Sequence, residues 1–323
     1  MIPVSEIRLA AERIRPYVVR TPLLPVPQLV DGIPGLRLKC ESMQRTGSFK
    51  ARGALHRVLT LTPEERARGL CTVSAGNHAA AVAWAARVAG CSAVVVMPDA
   101  APQAKIDAVR AEGAEIVFHA DRTTLFDRLR EVQAERGATF VHPFDDAVVL
   151  AGAGTAGLEI LEDLPDVHTV VIPVGGGGLL GGVASAVKGL RPHARVVAVE
   201  LEAGPGLAPA LRAGKPVPAP RPATLADGMT PPFVGALPLE IAREAVDEIV
   251  GVTEEEIVAA MRRLVAGARL VAEGAGAAAT AALMAGKVRV PKDAHVVALL
   301  SGGNVDAEKL AGVLAPRVTP PSP

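Results

Sequence analysis

The chain has 323 residues, half of them hydrophobic, and its 34 Lys and Arg balance 34 Asp and Glu. This composition excludes a disordered or fibrous chain, and zero net charge removes the long-range field that draws proteins to nucleic acid or anionic membrane. With six Phe, one Trp and one Tyr, stacking platforms for single-stranded nucleic acid are excluded too, so the core must be Ala, Val and Leu.

At the N-terminus, Val4, Ile7, Ala11 and Ile14 fall on one helical face among Glu6, Arg8, Glu12 and Arg13. That pattern predicts an amphipathic helix and no signal peptide. Short β-branched runs then predict strands over residues 36–41, 70–74, 93–97, 115–118, 139–141, 169–174, 195–200 and 295–300. Ala-rich segments between them predict helices over 76–89, 102–112, 121–136, 147–161 and 179–190. Thr253 and Glu256 have capping-box spacing and open a further helix over 253–266. The strands are mostly continuous apolar runs without period-2 alternation, as a parallel sheet buried on both faces requires, and the alternation of elements gives an α/β architecture. Residues 169–187 carry no charge, but Pro173 and Gly175 to Gly178 interrupt them, so they read as strand, loop and helix rather than a membrane span. The Pro-, Gly- and Ala-rich stretch 204–230 reads as a surface excursion with one short helix, and the last five residues are Pro-rich. Cys40, Cys71 and Cys91 are too few and scattered for a disulfide framework or zinc site and read as small buried hydrophobes. A cytoplasmic, soluble protein is expected.

Ligands of open α/β sheets bind beyond the carboxyl ends of strands, and four motifs lie there. Gly175, Gly176, Gly177 and Gly178 follow one strand and precede an apolar helix; they make either a packing turn or a phosphate cradle of backbone N–H groups. No Gly-Lys-Ser/Thr follows, so this is not a Walker loop. Ser74, Ala75, Gly76, Asn77 and His78 begin another helix, either as capping chemistry or as a second anion site suited to a carboxylate. Ser301-Gly302-Gly303-Asn304 forms a turn or places a hydroxyl in the cleft. Lys50, after Gly47-Ser48-Phe49 and before Ala51, is either a solvated charge or a desolvated, reactive amine.

Together these motifs resemble the pyridoxal-phosphate enzymes of the tryptophan-synthase-β fold type, in particular the serine/threonine dehydratase and serine racemase family. The resemblance runs from Arg20-Thr21-Pro22-Leu23 to Ser301-Gly302-Gly303-Asn304. It passes through His142-Pro143-Phe144, Ala151-Gly152-Ala153-Gly154-Thr155, Ala226-Asp227-Gly228 and Glu273-Gly274-Ala275-Gly276. It implies two open, twisted, mostly parallel sheets flanked by helices, with the cofactor in the cleft between two domains. Residues 1–48 with 147–323 would form the large domain and 49–146 the small one. The resemblance assigns Lys50 as covalent anchor of pyridoxal 5'-phosphate, Phe49 against its ring, and Gly175 to Gly178 on its phosphate. Asn77 falls on its ring hydroxyl, Ser301 at its pyridine nitrogen, and Ser74 to His78 on the substrate carboxylate.

The implied activity is dehydration and deamination of L-threonine, L-serine or a related β-hydroxy amino acid to a 2-oxo acid and ammonia, by a homodimer. Within the family, a serine or aspartate racemase, or a hydroxyaspartate or phenylserine dehydratase, is the alternative. A nucleotide-dependent oxidoreductase using the glycine loop is the rival class, and it leaves Lys50 unexplained. Family racemases place a serine at the second residue of the carboxylate loop, where this chain has Ala75. Members that bind Mg2+ or another divalent cation use a Glu after a late strand, a backbone carbonyl and an Asp; Glu200 matches the Glu, but Gly204 and Gly206 stand at the other positions, so a carboxylate is lost, which weakens a hard-cation site. The stretch from Gly302 to Pro323 is too short for a regulatory domain.

Overall fold

The computed structural model describes residues 1–315 other than Pro102 and Arg122. Pro102 at the start of one predicted helix, Arg122 in the next, and the Pro-rich last five residues lie outside the described residues. The strands in chain order are β1 (Leu23–Pro25), β2 (Leu36–Cys40), β3 (Leu70–Val73), β4 (Ala93–Pro98), β5 (Glu115–His119), β6 (Thr139–Phe140), β7 (Thr169–Pro173), β8 (Arg195–Leu201), β9 (Glu248–Val252) and β10 (Val296–Leu300). They form a six-stranded sheet of order β1-β2-β10-β7-β8-β9 and a four-stranded sheet of order β5-β4-β3-β6. Every pairing is parallel except that of β1 with β2. The α/β class and the two mostly parallel sheets are as the sequence implies.

Continuous apolar strands serve two cores at once. Val171, Val197, Val199, Ala298 and Leu300 pack on one face of the larger sheet against the Ala-rich helix Gly274–Met284. Val170, Ile172, Val196, Ala198, Val297 and Leu299 pack on the other, against Ala147–Asp163 and Gly178–Leu190. Each such buried side chain contributes about 1.5–3 kcal/mol relative to exposure. The smaller sheet has its own core, in which Val95 and Met97 meet Ala79, Val82 and Ala86 of Asn77–Ala89 and Ala51, Leu55 and Val58 of Lys50–Leu59.

The N-terminal helix, Val4–Ile14, buries Ile7, Ala10 and Ile14, and its Val4 and Ala11 are partly buried against the larger sheet's core, so the inward face is the predicted one with Ala10 added. The capping box at Thr253 is formed, but that helix gives way after Arg263 to one π-turn ending at Arg269 in the left-handed region. Cys40 and Cys71 are buried in strands, whereas Cys91 is half-buried in the turn after Asn77–Ala89. Strands β1 and β9 are not anticipated by the sequence pattern. Residues 169–187 form β7, the glycine loop and most of Gly178–Leu190, and among the described residues no helix is long and apolar enough to cross a membrane.

Candidate active site

Because β2, β3, β7 and β10 all run in parallel pairings, the loops that leave their carboxyl ends lie at the same end of each sheet. Residues 41–50 come after β2, 74–78 after β3, 175–178 after β7 and 301–304 after β10. Hydrogen bonds then stitch these segments together. Thr46 and Gly47 are both left-handed, at φ 59° and 72°, and turn the chain so that Ser48 bridges Gly302. Phe49 N–H donates to Ser301 C=O at 3.1 Å, and Gly303 N–H donates to Gly47 C=O at 2.9 Å. A β-branched residue at positive φ is strained; here Asn304 Nδ2 holds the Thr46 carbonyl at 2.7 Å.

Lys50 opens the helix Lys50–Leu59. Its Nζ donates to Pro143 C=O at 2.6 Å and lies 5.1 Å from the centre of the Phe49 ring. Burial brings the ammonium down to a pKa of about 8, so near neutral pH an appreciable fraction is the free amine that a nucleophile requires. The neighbouring carbonyl loop is fixed by His142, whose Nδ1 accepts from the N–H groups of Phe144 and Asp145 at 3.2 and 2.9 Å. Phe144, next to Pro143, also walls the glycine loop. A Cβ on Gly176 would lie 2.2 Å from the Phe144 ring, and one on Gly177, at φ 91°, would lie 2.5 Å from Pro238. These glycines are needed for close approach and for a left-handed turn. The Lys50 amine and the glycine loop therefore flank one two-residue segment.

The glycine loop ends at the N-terminus of Gly178–Leu190, and residues 74–77 end at that of Asn77–Ala89. Neither helix has a side-chain cap. Other helices, Val4–Ile14 and Gly274–Met284 among them, lack one too, so what sets these two apart is that each begins in a loop directly after a parallel strand. Two thirteen-residue helices thus begin after parallel strands without a side-chain cap, and such positive dipole ends bind anions. Ser74 Oγ accepts from Gly76 N–H at 3.1 Å, which tightens the second loop. His78 is buried, its Nε2 3.0 Å from Val141 C=O, and burial followed by the nearby Lys50 charge pulls its pKa down to about 3. It is a neutral ring with its N–H on Nε2. Ser301 is buried, its Oγ 3.4 Å from Ala275 C=O.

Several side chains at the site are not singled out by sequence reasoning. Asn77 Nδ2 donates to Glu273 Oε1 at 2.6 Å, and Asn77 Oδ1 accepts from Asn304 Nδ2 at 2.7 Å. Glu273 and Asn304 sit inside sequence landmarks, but nothing in the string says that they meet Asn77. Lys105 reaches across to Asp227 at 2.8 Å and lies near Gly76, with no sequence signal beyond a charge on a helix. Behind Lys50, the guanidinium of Arg52 is fully buried between Glu41 and Glu159.

Glu200 has a different occupation from the one the resemblance implies. Its carboxylate accepts the N–H groups of Gly206 (2.6 Å), Leu207 and Ala208 (3.1 Å), capping Leu207–Ala213. Gly204 and Gly206 supply no carboxylate, and no group of three or more His, Cys, Asp or Glu able to hold a metal occurs among the described residues. The donor set does not fit a divalent cation.

Parallel sheets, two uncapped helix ends and a desolvated lysine in one cleft define an α/β enzyme suited to an anionic cofactor that reacts with an amine. The chain belongs to the pyridoxal-phosphate dependent enzyme family, whose model matches residues 14–302. It is 41% identical over 321 residues to the catabolic L-threonine dehydratase TdcB of Staphylococcus aureus, covering 97% of this chain and 92% of that protein. It is 42% identical over 317 residues to an L-threonine ammonia-lyase of Geobacter sulfurreducens, covering 97% and 78%. Among solved structures it resembles maize serine racemase, with TM-score 0.91, 35% identity and 96% of each chain covered. It also resembles the T.th. threonine deaminase, with TM-score 0.88, 43% identity and 94% and 99% covered. Pyridoxal phosphate is the family's cofactor, and the cradle that a Cβ would fill, the uncapped helix end and the desolvated amine fit it.

Proposed function

We propose that this enzyme dehydrates and deaminates L-threonine, L-serine or a related β-hydroxy amino acid to a 2-oxo acid and ammonia. The observation that carries the reading is the convergence of the Lys50 amine with two uncapped helix N-termini. Bound pyridoxal phosphate supplies the sink for the electron pair left when the substrate α-carbon loses its proton. Lys50 anchors that cofactor and takes the α-proton on Nζ, which its lowered pKa suits. The N–H groups of Gly175 to Gly178 would hold the phosphate, Phe49 would pack against the ring, and an Asn77 N–H would meet the ring oxygen. Ser74 to His78 hold the substrate carboxylate at their helix end. Ser301 would meet the pyridine nitrogen with a neutral hydroxyl, which would leave that nitrogen less protonated than a carboxylate would and so suit loss of the β-hydroxyl as water. The names of the curated relatives, threonine dehydratase and threonine ammonia-lyase, support the substrate class.

A racemase is the second reading, favoured by the likeness to a solved serine racemase. It needs a proton donor on the face opposite Lys50, where Ala75 offers a methyl group. A panel of threonine, serine, hydroxyaspartate and phenylserine, assayed for 2-oxo acid and ammonia, tests the proposal; release from threonine or serine is expected. Conversion of serine to its enantiomer without ammonia would replace it. We further read residues 49–146, which contain the whole four-stranded sheet, as the small domain, with 1–48 and 147–323 as the large one. The resemblance also implies a cytoplasmic homodimer, whose mass in solution light scattering would report.

A further inference from the structure

Glu273 stands at the N-cap position of Gly274–Met284, yet its carboxylate does not cap that helix. Its Oε1 instead receives Asn77 Nδ2 at 2.6 Å, across from the large sheet to the small one. The carboxylate lies so close to Gly302 that a Cβ there would sit 2.2 Å from Oε1, and Glu273 N–H donates to Gly302 C=O at 3.1 Å. At the other end of the amide, Asn304 Nδ2 donates to both Asn77 Oδ1 and Thr46 C=O, each at 2.7 Å. The two ends read the amide in the same sense. An ionised carboxylate accepts only, so it demands Nδ2; Asn304 is committed as a donor by Thr46, so it demands Oδ1. One N–H of Asn77 is thereby consumed and the other is left with a fixed direction.

We propose that Glu273 and Asn304 are positioning residues that lock the Asn77 amide so that its remaining N–H, and never its carbonyl, is presented to the ring oxygen of bound pyridoxal phosphate. The inference rests on the cofactor reading but not on which amino acid is the substrate. A protonated Glu273 donates as well as accepts, and so withdraws half of the lock. Burial, against the Asn77 hydrogen bond, brings the Glu273 carboxyl up to a pKa of about 7, with Asp227 raising it and Lys105 lowering it. Lys105 and Asp227 are paired with each other at 2.8 Å. The lock is therefore complete above neutral pH and loosens below it.

The test is loading of the apoprotein with pyridoxal phosphate, followed by its visible absorption and by equilibrium titration, with no turnover required. Glu273→Ala should weaken binding about tenfold, the size of one charge-assisted hydrogen bond, with the unfolding midpoint of the apoprotein little changed. Asn304→Ala should weaken it in the same direction. Glu273→Gln keeps an acceptor for Asn77 but has no ionisation. It should bind within about threefold of wild type and lack the spectral transition around pH 7 that is expected of the wild type. That variant decides the matter if the alanine variants do not fold. A Glu273→Gln protein with the wild-type spectral transition intact overturns the proposal. A wild-type chain that takes up no pyridoxal phosphate overturns the cofactor reading and this one with it; loading that is indifferent to Glu273 overturns this one alone.

Discussion

Arg52→Met tests the buried charge cluster beneath Lys50. Arg52 donates to Glu41 Oε1 and Oε2, both at 2.8 Å, and to Glu159 Oε1 and Oε2 at 2.7 and 2.8 Å. Lys39 completes the set through Glu159 at 2.5 Å and Thr21 C=O at 2.8 Å. Two cations thus face two carboxylates, and Arg52, Lys39 and Glu41 have no exposed side-chain surface. Burial alone would push the Glu41 carboxyl up, but Arg52 beside it holds it below the usual range. Replacing Arg52 leaves Glu41 and Glu159 sharing Lys39. Loss of one partner of a buried pair costs about 3–5 kcal/mol, a drop in Tm of roughly 4–7 °C for a chain of this size. Arg52→Met/Glu41→Met restores the balance by leaving Lys39 with Glu159, and should recover about 1–3 kcal/mol of that loss. Urea unfolding followed through the single tryptophan, Trp84, buried in the smaller sheet's core, measures both. An Arg52→Met protein within about 1 kcal/mol of wild type, or a double variant weaker than Arg52→Met, would refute the electrostatic account.

Gly176→Val drives a Cβ into the Phe144 ring, so cofactor affinity in a loading titration should fall at least about tenfold, with a stability loss of about 1–3 kcal/mol. Ala75→Ser places a hydroxyl on the carboxylate loop and should raise D-serine formation from L-serine severalfold, read by chiral chromatography; equal racemisation by wild type would mean that another residue serves that face. Chelation with EDTA should leave ammonia release unchanged, because Glu200 is already satisfied by backbone N–H groups; activity restored only by added Mg2+ would contradict this.

The features legible in the sequence were those that are local and periodic. Most of the predicted strands are apolar runs, and three of the four candidate site motifs come directly after a strand, so pattern and position coincide. Strand β1 escaped because it has three residues and ends in Pro25, and β9 because as an edge strand it is half-buried over most of its length and contains Gly251. Nothing in the sequence marks Arg52 or Glu41 out, since only folding brings residues 41, 52 and 159 together. Glu273 and Asn304 stand in recognisable landmarks, but their grip on Asn77 spans 196 and 227 residues of sequence. Glu200 shows the converse: a residue matched by position is taken by the helix end beside it, an event that no spacing reveals.

Borohydride reduction of the pyridoxal-phosphate-loaded enzyme, followed by peptide mapping, tests the central claim most directly. The account predicts a stable pyridoxyl group on Lys50, with the label lost from that peptide in Lys50→Ala and ammonia release from threonine at background. Label on another lysine, or near-normal ammonia release by Lys50→Ala, would contradict it.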